Sequence, residues 1–229
     1  MKNRQYKSRI RVALIVPSSN TVMENDLHDA LPKTEYTVHT DRMYLTETTR
    51  EQEIKMIEEF APAAANDLGT LKPDVLVFGC TSAGSLFGLE YDERVCRQLG
   101  LLAGCPSIGV VSSVATALDL QEWRRVAVLT PYNEDLTQAV ATAVTGGSRR
   151  LVCAYGMNIT DNEALATPTP ADIVDFAKKV LSGQRFDGLF VSCTNFRALE
   201  ARSELEDTFG VPVVTSNSAV IDALLLLRS

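Results

Sequence analysis

Val75-Leu76-Val77-Phe78-Gly79-Cys80-Thr81-Ser82 and Gly188-Leu189-Phe190-Val191-Ser192-Cys193-Thr194-Asn195 are two versions of one phrase. Each is a short apolar run that stops at Cys-Thr. Runs of this length suit strands covered on both faces in a parallel sheet. Open α/β sheets present reactive side chains beyond the carboxyl ends of such strands. The phrase therefore predicts an α/β fold with Cys80 and Cys193 at strand ends, facing one another across a cleft.

Working outward, the repeat extends beyond this phrase. Arg11-Val12-Ala13-Leu14-Ile15-Val16-Pro17 matches Arg125-Val126-Ala127-Val128-Leu129-Thr130-Pro131, an offset of 114 residues. Asp74 to Thr81 matches Asp187 to Thr194 at 113, and Pro106 to Leu118 matches Pro212 to Leu224, more loosely, at 106. Three matches in the same order predict two pseudo-symmetric parallel-sheet halves, residues 1–121 and 122–229, joined near Leu120 to Arg124. The final helix is free to fold back onto the first half. Strand and helix signals alternate throughout, which gives parallel strands joined by right-handed crossovers, with all strand-end loops of a half on one edge. Helices are expected at Thr21–Leu31, from the Thr49 cap towards Gly69, at Ser85–Leu99, and at Phe196–Phe209.

Composition limits what such a cleft can hold. With 229 residues, 45% hydrophobic, the chain has material for a substantial core. A net charge of −7 without basic runs disfavours nucleic acid and acidic membrane surfaces as partners. The basic opening, Met1 to Arg11, precedes too short an apolar run for a signal peptide, and no stretch approaches a membrane span. The expected compartment is cytoplasmic, where thiols stay reduced. Five cysteines without paired Cys or Cys/His spacing disfavour a disulfide framework or a metal site. No GxGxxG or P-loop pattern occurs, so no nucleotide cofactor is indicated.

Cys96, Cys105 and Cys153 read as packing residues, whereas Cys80 and Cys193 hold matched strand-end positions. A helix opening after each Cys-Thr is expected to lower the thiol pKa and offer N–H groups to an anion. Ser18, Ser19 and Asn20 follow the first strand, where they can cap a helix and still touch a ligand. Tyr132 occupies the equivalent turn of the second half, and Asn162 lies in a polar loop. His28 and His39 are distant in sequence from both cysteines, which weakens a Cys-His arrangement.

Taken together, Pro17-Ser18-Ser19-Asn20-Thr21, Cys80-Thr81-Ser82, Thr130-Pro131-Tyr132 and Ser192-Cys193-Thr194-Asn195 resemble the maleate cis-trans isomerase and arylmalonate decarboxylase branch of the Asp/Glu racemase superfamily. The resemblance covers nearly the whole chain. It implies a cofactor-independent homodimeric enzyme acting on a small carboxylic acid held between two halves. Cys80 would add to the substrate double bond, and Cys193 would act as acid and base at the neighbouring carbon. Asn20, Tyr132 and Asn162 would hold the carboxylates, helped by the Thr81-Ser82 and Thr194-Asn195 turns.

Amino-acid racemases of the superfamily usually carry Cys-Thr-His at the second motif, where this chain has Cys193-Thr194-Asn195, and the arylmalonate decarboxylases resemble this pattern but lack the first cysteine. Cys80 therefore favours a two-cysteine isomerase. The apolar segment Ala83 to Gly88 beside the site leaves room for a larger or less charged acid than maleate. Racemisation and decarboxylation of an alpha-substituted acid stay open, as does a non-catalytic small-acid binding protein, since fold alone does not settle function.

Overall fold

The computed structural model describes residues 9–228; the first eight residues of the basic opening, and residue 229, lie outside the described residues. Strands β1 (Ile10–Pro17), β2 (Tyr36–Met43), β3 (Val75–Phe78) and β4 (Ser107–Gly109) form one sheet in the order β2-β1-β3-β4. Strands β5 (Arg125–Thr130), β6 (Arg150–Gly156), β7 (Gly188–Val191) and β8 (Val213–Thr215) form a second in the order β6-β5-β7-β8. Every strand pair is parallel. The two sheets with their helices make the α/β fold that the repeated phrase predicts.

The repeat reaches down to register. Val12 lies beside Val75 in the first sheet, and Val126 beside Gly188 in the second. Leu76 pairs with Ser107, and Leu189 with Val213. The offsets of 114, 113 and 106 thus connect residues with the same neighbours. At the sheet bottoms, Asp74 accepts the Arg11 N–H at 2.8 Å, and Asp187 accepts the Arg125 N–H at 2.8 Å.

Helices α1 (Met23–Ala30), α2 (Arg50–Lys55), α3 (Ala61–Gly69), α4 (Thr81–Ser85), α5 (Leu89–Ala103) and α6 (Val110–Leu120) belong to the first half of the chain. Helices α7 (Glu134–Val144), α8 (Pro170–Leu181), α9 (Ala198–Phe209) and α10 (Ser216–Leu226) follow in the second. The helix expected from Thr49 to Gly69 is interrupted by a π turn at Met56–Phe60. Pro62 has no N–H to give to the preceding turn, and a widened turn relieves that defect. The helix expected over Ser85–Leu99 is α5, Leu89–Ala103; the short α4 opens directly after Cys80, as expected after Cys-Thr, and the chain breaks between the two at Gly88, whose φ of 87° suits glycine. Gly188 answers another constraint, because a Cβ there would enter the Trp123 ring. Helix α10 packs on α6 and α1, and Tyr36 donates its hydroxyl to the Leu224 carbonyl at 3.1 Å.

Candidate active site

In each sheet the chain runs from its first strand outward to the edge, then returns on the other side as the third. That reversal is a topological switch point, where loops diverge and leave a crevice. The loops after β1 and β3 open there, as do those after β5 and β7. Hydrogen bonds join them. Asn20 Nδ2 donates to Thr194 Oγ1 at 3.1 Å, Thr194 Oγ1 donates to the Gly79 carbonyl at 3.0 Å, and the Thr21 N–H donates to Asn195 Oδ1 at 2.8 Å. The Thr81 and Ser216 hydroxyls bond at 2.9 Å, and Ser216 Oγ accepts the Cys193 N–H at 3.0 Å.

The two cysteines reach this meeting point with different backbones. Cys80 is extended (φ −139°, ψ 111°) and caps α4. Cys193 has φ of 100°, a region costing a non-glycine residue roughly 1–3 kcal/mol, and is held there by neighbouring bonds. The Asn195 N–H points back to its sulfur at 3.3 Å. Cys80, Cys193 and Tyr132 are 3%, 4% and 1% exposed, so the cluster is closed to solvent.

The other expected residues converge as well. Asn162 Nδ2 donates to Ser19 Oγ at 2.6 Å, and its carbonyl accepts Asn195 Nδ2 at 2.7 Å. Ser18 and Ser19 turn their hydroxyls to the Leu45 carbonyl at 3.2 and 3.3 Å. Asn20 Oδ1 accepts the Val22 and Met23 N–H groups at 3.1 and 3.0 Å, which caps the start of α1. Ser82 Oγ lies 3.8 Å from Cys80 Sγ. Two loops pair over this region: Thr48 N donates to the Thr160 carbonyl at 2.7 Å and Asn162 N to the Thr46 carbonyl at 2.9 Å. His28 and His39 share a surface hollow with Leu27 and Tyr36 on the outer side of the first sheet.

Burial governs the electrostatics. It pushes the Cys80 thiol far above its ordinary value, and the nearby Glu53 charge adds to this, while the Ala83 N–H and Ser82 oppose it. Cys193 is pushed up to about 12 by burial, against hydrogen bonds from Tyr132 and the Asn195 N–H that favour the thiolate. This corrects the expectation of lowered thiol pKa values. Helix α4 has five residues, and its N-terminus does not offset removal of a thiolate from water. Burial likewise raises the Tyr132 phenol well above its usual range, with the charges of Cys193 and Cys80 contributing.

Sequence reasoning missed Glu53 and Ser216. Glu53, on α2, is wholly buried, and burial lifts its carboxyl to about 8 against the opposing pull of Ser82 and Arg50. Neither carboxyl oxygen has a hydrogen-bond partner, although the Ser82 hydroxyl lies near enough to favour the charged form. Among the described residues no cluster of three or more His, Cys, Asp or Glu side chains is placed to hold a metal ion. No helix among them is long and apolar enough to cross a membrane.

A pair of similar parallel α/β halves meeting at two buried cysteines and a tyrosine defines the class: a racemase-like α/β fold with its strand-end loops closed around one cluster. The family model for arylmalonate decarboxylase matches residues 12–227. The maleate isomerase of Geobacillus stearothermophilus is 25% identical over 228 residues, covering 94% of this chain and 90% of that enzyme. The arylmalonate decarboxylase of Bordetella bronchiseptica is 31% identical over 140 residues, covering 61% of this chain and 58% of that enzyme. A structure of the Nocardia farcinica maleate cis-trans isomerase, a mutant with a covalently bound succinylcysteine intermediate, superposes with a TM-score of 0.86 at 21% identity, covering 95% of this chain and 92% of that one. The chain belongs to the arylmalonate decarboxylase family, in the branch of the Asp/Glu racemase superfamily that includes the maleate isomerases, and its class of activity is that of an isomerase.

Proposed function

We propose that the protein interconverts the cis and trans forms of a small maleate-like enedioic acid without a cofactor. The observation that carries this reading is the placement of one cysteine from each half in a single buried cluster with Tyr132. In the fraction of enzyme whose Cys80 thiol has released its proton to solvent, the thiolate adds to one alkene carbon and forms a C–S bond, while the electron pair of the double bond moves to the neighbouring carbon. Cys193 gives that carbon its proton and becomes a thiolate, held by the Tyr132 hydroxyl and the Asn195 N–H. The former double bond is now single and rotates. Cys193 then takes a proton back, the C–S bond breaks, and the trans acid leaves. Pre-aimed donors of this kind favour the charge that develops during reaction.

Asn20, Asn162 and the Thr81-Ser82 and Thr194-Asn195 turns are the proposed carboxylate contacts. In the closed cleft Asn20, Asn162, Thr194 and Asn195 bond one another, so a bound acid takes over some of those hydrogen bonds. A covalent succinylcysteine in the Nocardia farcinica enzyme supports the adduct step. We also take the working unit to be a homodimer, since Leu120, Leu225 and Leu226 lie exposed on or beside the α6–α10 groove; sedimentation at the mass of one chain would refute this.

The test is incubation with maleate, chiral alpha-substituted acids and substituted malonates in D₂O, followed by NMR. Conversion of the cis acid to its trans isomer is the expected result. Cys80→Ser and Cys193→Ser should each lower the rate by at least about 10³-fold. Full activity in both variants refutes the two-cysteine mechanism. Loss of carbon dioxide from a malonate, without cis-trans conversion, replaces it with a decarboxylase, the reading favoured by the Bordetella bronchiseptica relative.

A further inference from the structure

Glu53 has no part in the mechanism above, yet its surroundings set it apart from the other acids. It is 0% exposed, and neither carboxyl oxygen has a hydrogen-bond partner. A buried polar group left unpaired is expensive, and native proteins rarely keep one without a use. Helix α2 packs on α4, which opens directly after Cys80, and the Glu53 charge acts on Cys80, Cys193 and Tyr132, which places the carboxyl near the reacting groups.

The groups facing it come from several elements. On its own helix Arg50 is turned to the rim, bonded to the Leu86 carbonyl at 2.9 Å and to Asp135 on α7 at 3.4 Å. Helix α4 offers Ser82, and α5 offers Tyr91. The strand ends supply Cys80, Cys193 and the Tyr132 turn. Among the described residues no cation forms an ion pair with Glu53. An ionised Glu53 would therefore have only Ser82 and the charge of Arg50, itself bonded at the rim, to offset it in a cleft meant for an anion, whereas a protonated one would add a hydrogen-bond donor.

Resting on the isomerase reading, we propose that Glu53 is a further substrate-binding residue: as a neutral carboxylic acid it donates a hydrogen bond to one carboxylate of a dicarboxylic acid bound between the two cysteines. Burial supports the neutral form, since it lifts this carboxyl to about 8. No proton moves to the ligand in net terms; the proton stays on Glu53 and is shared with the bound carboxylate. Above the titration of Glu53, binding draws one proton from solvent. Over that range burial keeps both thiols and the Tyr132 phenol protonated.

Succinate, the saturated diacid that cannot isomerise, is the probe. Its Kd for the wild-type enzyme, measured by calorimetry, should be level in neutral solution and rise about tenfold per pH unit above about pH 8. At about pH 9, titrations in buffers of different ionisation enthalpy should show close to one proton taken up per succinate bound. Glu53→Gln retains an N–H donor and should bind succinate with a Kd independent of pH over the same range. Binding that is independent of pH in the wild type, without proton uptake, overturns the proposal, as does a variant that keeps the wild-type slope. The proton count needs no variant, so a misfolded glutamine form does not spoil the test. If neither succinate nor maleate binds at any pH, the diacid reading of the site falls, and this inference falls with it.

Discussion

Exchanging Glu53 for glutamine also isolates the energetic consequence of burying a carboxyl. The ordinary carboxyl value of 4.5 is lifted to about 8 in the folded protein by burial. The unfolded chain therefore releases this proton before the native protein does. The stability contributed by the neutral native carboxyl is fully present below 4.5, is lost as pH rises towards about 8, and levels off beyond it. Integrating the two titrations from about pH 5 to about pH 8.5 leaves about 2.8 pH units of differential protonation, or about 4 kcal/mol at ~1.4 kcal/mol per unit.

Glutamine has no such titration. The variant's stability relative to wild type should thus improve by about 4 kcal/mol across that interval, visible as a relative gain of roughly 8–16 °C in unfolding temperature. Asp26 and Asp92, both lifted to about 6 by burial, give the same slopes in each protein and cancel. Urea unfolding followed by fluorescence of Trp123 measures the difference. A gap between the two proteins that stays constant with pH, within about 1 kcal/mol, would refute the reasoning that an unpaired buried acid sits at this position.

Three further outcomes are expected. Gly188→Ala places a methyl group in the Trp123 ring and should destabilise the protein by about 1–3 kcal/mol in urea unfolding; a neutral result would mean that the ring moves freely. Thr215 caps α10 by accepting the Ser218 N–H at 3.0 Å, so Thr215→Ala should cost about 1 kcal/mol in the same assay. Cys105 and Cys153 are partly exposed while Cys80 and Cys193 are closed off, so mass spectrometry after limited iodoacetamide treatment should show the first pair modified before the second.

Much of this architecture was legible because burial on both faces leaves a mark on composition. Val75–Phe78 and Gly188–Val191 are wholly buried strands, and a strand with no solvent-facing side must be apolar at every position, so the run shows without alternation. The repeat offsets carried the register, since equivalent strands pair equivalent neighbours in both sheets. Helix limits were less legible. The helix expected over Ser85–Leu99 instead begins at Leu89 and runs on to Ala103, because the break at Gly88 and the cap at Gly104 are set by glycines of positive φ that periodicity does not place.

Glu53 was hidden for a physical reason. Arg50-Glu51-Gln52-Glu53 is an ordinary polar first turn after a Thr49 cap, where acidic residues suit the helix dipole. Which of the two acids faces inward is decided by the lean of α2 against α4, not by the sequence of α2. The thiols misled in a different way. A helix end favours a thiolate by a modest amount, whereas full desolvation is larger, and only the three-dimensional burial of Cys80 and Cys193 shows which prevails.

The backbone at Cys193 has a stereochemical consequence. Duplicated halves around a pseudo-two-fold axis offer a symmetric diacid two almost equivalent ways to lie down. The positive φ at Cys193 and the extended chain at Cys80 remove that degeneracy, since the two sulfurs leave their strands in different directions. On the mechanism proposed above, an acid whose two carbons are identical in solution becomes handed on the enzyme: one carbon always meets the adding sulfur, the other always receives its hydrogen from the same face. In D₂O any trapped saturated adduct should therefore carry a single deuterium in a single configuration.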